Sequence, residues 1–257
     1  MTSEQISKVI AEFTKQAETF NEYQKAFSKE EYNDFAVSHM ELKGTESVLE
    51  VAAGTCAFGR TVAPHVGHVT EFDVTEAMLE VGKQETKNAG ISNVSFVLGT
   101  AEQVPFEDSS FDVVMSRLAF HHFEKPETVY REMVRLLRPG GKLVIIDMKA
   151  RDENLRNVAD AIERDRDPSH VRCLSENEFI EMAKTESISV DFCETIAVPV
   201  SLEAWMDVTK VSEPVRDRIR KLMQSDVNGS DKTGFEPYIM DGQLYFDHRW
   251  MLMICKK

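Results

Sequence analysis

Two carboxylates that close apolar runs, and three histidines that come after later ones, are the residues of this sequence best placed to do chemistry. Glu50 stands near the end of the run at 47–51, and Asp73 ends the run at 68–72, about 20 residues beyond the small residues Ala52, Gly54 and Cys56. A helical pattern at 58–66 separates the two acids. The stretch therefore reads as strand, tight turn, helix and second strand, a cradle in which Asp73 would accept hydrogen bonds from ribose hydroxyls. His121 and His122 follow a further apolar run at 111–115, and His170 lies in a loop able to fold over the same mouth. Histidine titrates near neutrality, so any of the three is a candidate to face a substrate or take its proton. Packing or capping of the turn before residue 126 is the competing role for the first two, and a place in a surface loop is the competing role for the third.

The charge of Glu50 separates two kinds of nucleotide cofactor that the spacing leaves together. A dinucleotide puts a pyrophosphate against the turn and helix start, where a carboxylate would repel it. S-Adenosylmethionine has no phosphate and carries an ammonium and a sulfonium, which a carboxylate attracts. Ala52 and Cys56 also stand where a strict G-x-G-x-x-G pattern has glycine, which suffices if no pyrophosphate must approach. Asp147, at the end of the run at 142–146, points to the same crevice or caps the following helix. Arg166 reads either as a planar fork for an acidic substrate group or, more simply, as a salt-bridge partner. Phe13, Phe20, Tyr23 and Phe27 recur at helical spacing, as ordinary core or as a cover over the cofactor.

These residues need a scaffold, and composition bounds it. A chain of 257 residues with 42% hydrophobic and 29% charged residues fits one α/β domain with additions. We divide it into helices at 1–45, a cofactor-binding core at 46–150 and substrate-side helices with the last strands at 151–257. The 44 acidic against 30 basic residues, a formal charge of −14, oppose nucleic acid and anionic membranes as partners and favour a small molecule. Cys56, Cys173, Cys193 and Cys255 show no C-x-x-C spacing, so neither a metal site nor a disulfide framework is predicted. Without a leader or spanning segment the chain reads as cytoplasmic.

Strand and helix alternate after two N-terminal helical pieces at 3–20 and 29–40. Helix is predicted at 76–88, strands at 94–98 and 111–115, and helix at 126–137 closed by Pro139-Gly140-Gly141. The continuous apolar run at 142–146 implies burial on both faces, the mark of a parallel sheet covered by helices. Helices at 153–165, 176–184, 202–211 and 215–224, a strand at 188–195 and a final strand at 243–255 complete the pattern, with 199–242 as an insertion.

Four segments together resemble the class I S-adenosylmethionine-dependent methyltransferases, in particular the small-molecule branch that includes the ubiquinone and menaquinone C-methyltransferases. They are VLEVAAGTCAFG at 48–59, TEFDVTEAML at 70–79, GTAEQVPFEDSSFDVV at 99–114 and REMVRLLRPGGKLVIID at 131–147. The likeness implies a Rossmann-like α/β fold: a seven-stranded, mostly parallel sheet with its last strand antiparallel, helices on both faces, an N-terminal helical lid and a helical insertion before the last strand. It implies S-adenosylmethionine as cofactor. Glu50, Ala52, Gly54 and Arg117 would meet its methionine end, Asp73 the ribose, and Met78, Thr100, Ala101 and Glu102 the adenine. Thr100-Ala101 stands where the family often has Asp-Ala. A narrower likeness rests on Phe13-Thr14-Lys15-Gln16-Ala17, which adds Gln16, and on Ala119–Phe123 and Arg166–His170. The implied activity is in-line methyl transfer to an unidentified small molecule. A non-catalytic sensor that binds the same cofactor, and a nucleotide-dependent reductase, are the alternatives.

Overall fold

Neighbouring residues of one short strand serve opposite cores, and that fixes the layering. Val48 and Leu49 in β1 (Ser47–Val51) are both fully buried. Leu49 packs with Phe72, Val114, Leu143, Tyr130 and Phe179, whereas Val48 packs with Val69, Val113, Val144, Ala36 and Phe58. Both faces of the strand are covered, as the continuous apolar runs require. The computed structural model describes residues 1–27, 30–230 and 232–257, without the side chains of residues 18, 19, 21–27 and 30.

Ahead of β1 come α1 (Ser3–Phe27) and α2 (Glu30–Met40); after it come α3 (Ala57–Val62), β2 (His68–Asp73), α4 (Glu76–Asn88) and β3 (Val94–Leu98). Next are β4 (Phe111–Arg117), α5 (Pro126–Leu136), β5 (Leu137–Met148), α6 (Arg156–Arg166), α7 (Glu176–Thr185) and β6 (Ser189–Ser201). The chain closes with α8 (Leu202–Val208), α9 (Glu213–Val227), β7 (Tyr238–Met240) and β8 (Gln243–Lys256). Strands run in the order β3-β2-β1-β4-β5-β8-β6. β1 to β5 pair in parallel, and β8 runs antiparallel between β5 and β6. α5 and α7 cover one face through Tyr130, Met133 and Phe179, and α2 and α3 the other through Ala36, Met40, Phe58 and Val62. A third core, with Trp205, Met206, Ile219, Met223, Phe235, Phe246 and Trp250, joins α8 and α9 to the far halves of β6 and β8.

The expected mixed sheet is present, with two differences. Among the described residues it has eight strands rather than seven, because β7 turns into β8 through Asp241 and Gly242 at φ 51° and 76°. That conformation is the one Asp-Gly favours in two-residue hairpins. Pro139-Gly140-Gly141 also lies inside β5 instead of closing α5, since Leu137 already pairs with Phe111 and the register shifts before Val113. The strand predicted at 188–195 runs on to Ser201, and the helix predicted over 58–66 stops at Val62. Among the described residues no helix is long and apolar enough to cross a membrane.

Candidate active site

Strand order reverses between β1 and β4, which places a crevice beyond the carboxyl ends of those two strands. A cavity of about 190 Å³ fills it. Glu50, Ala52, Gly54, Asp73, Met78 and Ala101 line one part, and His121, His122, Arg166, Trp205, His248 and Trp250 line the other, with Arg117 and Gln16 also on the wall.

At the first part, β1 passes into a turn where Ala52, Gly54 and Cys56 take φ of 58°, 55° and 59°. Gly54 does so freely, while Ala52 and Cys56 hold a backbone that costs a side chain about 1 kcal/mol or more. A Cβ on Gly54 would meet nothing within 4 Å, so the turn opens onto space. Asp73 is buried at its floor: Oδ2 accepts the Gly54 N–H at 2.8 Å and Oδ1 the Thr75 N–H at 2.7 Å. Burial raises its carboxyl above the ordinary range, against the pull of these backbone bonds. Each oxygen keeps a lone pair for a hydroxyl.

Glu50 Oε2 accepts the Gly59 N–H at 2.8 Å. Burial pushes its carboxyl up to about 7, opposed by a hydrogen bond with Glu71 and by the charges of Arg117 and Arg60. Glu71, its register neighbour on β2, is fully buried, and burial followed by the Glu50 charge drives it well up. Thr100 and Glu102 do not line the cavity: the Thr100 carbonyl caps the following turn through Gln103, and Glu102 pairs with the amino group of Met1.

At the other part, β4 is followed by Leu118, whose φ of 52° turns the chain into a single 3-10 turn at Phe120–His122. Asp147, the penultimate residue of β5, holds that turn. Its Oδ2 accepts Ala119 N–H at 2.9 Å and Phe120 N–H at 2.7 Å, while Oδ1 accepts Met148 N–H at 2.7 Å and meets His121 Nδ1 at 2.7 Å. A carboxylate accepts, so His121 carries its proton on Nδ1 and presents Nε2 as a lone pair. Burial lowers the basicity of His121, but the Asp147 charge and hydrogen bond outweigh it and the pKa is raised. His122 Nδ1 lies 3.1 Å from the Ser169 carbonyl, again leaving Nε2 without the proton. Burial and then the neighbouring His121 take His122 down to about 3, so it is neutral.

His170 does not line the cavity; it is buried with Nε2 bonded at 2.8 Å to Asp160 Oδ1, its ring 5.6 Å from that of His121. Asp160 Oδ1 also accepts the Cys173 N–H, and His170, Asp160 and Cys173 bring three potential ligand atoms within 4.8 Å, a grouping no spacing announced. Arg166 lies 3.3 Å from Glu163 and 4.7 Å above the Trp205 ring, and Arg117 lies 5.1 Å above that of Trp250. From α1, Phe13 meets His122 edge-on at 5.2 Å and Phe20 at 6.1 Å. Gln5 Nε2 donates to the carbonyls of His122 at 3.2 Å and Ser169 at 2.7 Å. The side chains of Tyr23 and Phe27 lie outside the described residues. Sequence reasoning missed Glu71, His248 and Trp250. Glu71 carried a signal, an acid inside an apolar strand, whereas the other two reach the cavity only through the pairing of β8 with β5.

A methyltransferase domain family matches residues 49–145. The uncharacterized methyltransferase YcgJ of Bacillus subtilis is 31% identical over 195 residues, 76% of this chain and 77% of that one. Demethylmenaquinone methyltransferase of Listeria welshimeri is 41% identical over 108 residues, but these are 41% of this chain and 45% of the relative. Among solved structures, YcgJ superposes with a TM-score of 0.82 at 25% identity, covering 89% of this chain and 99% of that one. A methyltransferase-family structure from Bacillus halodurans C-125 superposes with a TM-score of 0.81 at 28% identity, covering 88% and 98%. With the family match over the strands that build the crevice and these likenesses in agreement, the chain belongs to the methyltransferases.

Proposed function

We propose that this protein moves the methyl group of S-adenosylmethionine to a small-molecule acceptor, with His121 receiving the proton the acceptor gives up. One observation carries the reading: a single cavity joins the Asp73 and Glu50 end to the His121 and His122 end. The residues present fit the cofactor, because Asp73 keeps two lone pairs for ribose hydroxyls, the Gly54 turn opens onto space, and Glu50 offers a carboxyl to a cationic group. When bound, S-adenosylmethionine supplies an electrophilic methyl group.

The chain's own task is to hold the acceptor and deal with its proton. Phe13, Phe20, Trp205 and Trp250 give an apolar wall that excludes water. Asp147 orients His121 so that Nε2 accepts, and its charge stabilises the imidazolium that results. His122, neutral and fixed by Ser169, offers a second acceptor without competing for the proton.

Calorimetry with S-adenosylmethionine and S-adenosylhomocysteine tests the cofactor half, and binding of neither would sink it. Once an acceptor is found, His121→Gln should bind cofactor normally and lose about 10²–10⁴-fold in turnover. Full turnover in that variant would remove His121 from the reaction.

A further inference from the structure

Glu71 is a buried acid that the reaction described above does not use. Glu50 and Glu71 are paired in register on adjacent parallel strands, so their side chains leave the sheet on the same face, and α3 closes over both. Gly59 of α3 marks where they meet: a Cβ there would stand 1.8 Å from Glu71 Oε1 and 2.8 Å from Glu50 Oε2. Glu50 has the Gly59 N–H as a donor, whereas neither oxygen of Glu71 has one from a conventional donor. Two carboxylates cannot both stay ionised at such a place, and a proton shared between them serves as the missing donor.

We propose that Glu71 is a positioning residue that shares one proton with Glu50, and that binding of the cationic methyl donor expels this proton while the neutral demethylated product lets it return. The inference rests on the methyltransferase reading. Glu50 lines the cavity and Glu71 does not, so Glu71 acts only through its neighbour. The charged and titratable groups facing the pair are Arg117 from the end of β4, Arg60 from α3, Asp73 from β2 and the Cys56 thiol from the turn. With one proton on the pair its charge of −1 balances Arg117. S-Adenosylmethionine carries a carboxylate, an ammonium and a sulfonium, and so brings one net positive charge. That charge favours the doubly ionised pair, and the proton leaves to solvent. Loss of the methyl group neutralises the sulfur, and the pair takes a proton back. The acid pair would thus bias the site toward donor over product, increasingly so as pH rises.

Two measurements separate this inference from the reading beneath it. In the ligand-free protein near neutral pH, infrared difference spectra between wild type and Glu71→Gln should show a protonated carboxyl band present only in the wild type; its absence from the wild type overturns the shared proton. Calorimetry in buffers of different ionisation heat should show release of about one proton with S-adenosylmethionine and none with S-adenosylhomocysteine. Wild-type affinity for the donor should then climb up to tenfold per pH unit on the acid side of neutrality. Glu71→Gln should still bind both ligands, with no proton release and a flat pH profile, and Glu71→Asp should restore part of the slope. Equal proton release by wild type and Glu71→Gln overturns the proposal while leaving the methyltransferase reading intact. Failure of both ligands to bind the wild type overturns that reading and the ligand-linked half of this one, and the infrared comparison still decides whether the pair holds a proton.

Discussion

Asp147→Asn is the sharpest probe of how the reaction end is built. The carboxylate receives four hydrogen bonds, two on each oxygen. An amide has one oxygen and one NH2, so whichever way it turns, two of these donors face another donor. If the NH2 replaced Oδ2 it would confront the N–H groups of Ala119 and Phe120, neither of which can change. If it replaced Oδ1 it would confront Met148 N–H and His121 Nδ1, and the imidazole can move its proton to Nε2 to accept. The amide should therefore turn its NH2 toward His121. One buried donor pair, at Met148, is then left unmatched, which costs about 1–3 kcal/mol. The larger effect is on His121, which loses the charge that raised its pKa and points an N–H, not a lone pair, into the cavity. Nitrogen-15 NMR of labelled histidine reads tautomer and pKa without any acceptor, and urea unfolding reads stability. A variant in which His121 keeps its proton on Nδ1 with an unchanged pKa would refute the reasoning.

Asp73→Ala should weaken S-adenosylmethionine binding by about 1–3 kcal/mol, read by calorimetry, because the ribose loses its acceptor and the Gly54 and Thr75 N–H groups lose theirs; unchanged affinity would contradict the placement of the ribose. Gly59→Ala should destabilise by about 1–3 kcal/mol or more in thermal unfolding, since its Cβ would stand 1.8 Å from Glu71 Oε1. A neutral result would mean the two carboxyls do not meet there. His122 is held neutral in the fold and titrates near 6.5 when unfolded, so the unfolded chain gains a proton first as pH falls. Wild-type stability should accordingly drop by up to about 1.4 kcal/mol per pH unit from about 6.5 toward 3, and His122→Gln should lose this contribution; identical acid-side slopes would show that His122 is not the group responsible.

The end of the cavity lined by Glu50, Gly54 and Asp73 was legible because its determinants are local. A strand, a small-residue turn, a helix and a second strand fix Glu50, Gly54 and Asp73 relative to one another within 30 residues or so, whatever the rest of the chain does. The histidine pair was readable for the same reason, as part of the short turn that follows β4. Thr100 and Glu102 were placed by analogy with a family pattern from which this chain departs at Thr100, and the cavity is lined here by Gly99 and Ala101 instead. His170 carried no local signal of direction, and Asp160, ten residues earlier on α6, draws its ring out of the cavity. Trp250 and His248 depend on an antiparallel register in which Met148 meets Trp250 and Asp147 meets Met251, a pairing across about a hundred residues that no short pattern encodes. Glu71 was the recoverable miss. Aligning β1 with β2 from Ser47 and His68 puts two acids side by side in a layer of Val, Leu and Phe, and burial then makes them interact.

The two hydrogen bonds from Gln5 couple the wall of the cavity to the segment that holds His122. They tie the first turns of α1 to the carbonyls of His122 and Ser169, while Phe13 and Phe20 further along the same helix wall the cavity. A ligand that enters by displacing α1 must break this latch, and in doing so it removes Phe13 from the His122 ring and loosens the segment that anchors its Nδ1. Such a displacement would touch only one of the two imidazoles, because His121 keeps its bond to Asp147 from β5. The helix that walls the cavity is thus also the one that stiffens His122, so room for a ligand and a fixed second ring draw on the same two hydrogen bonds.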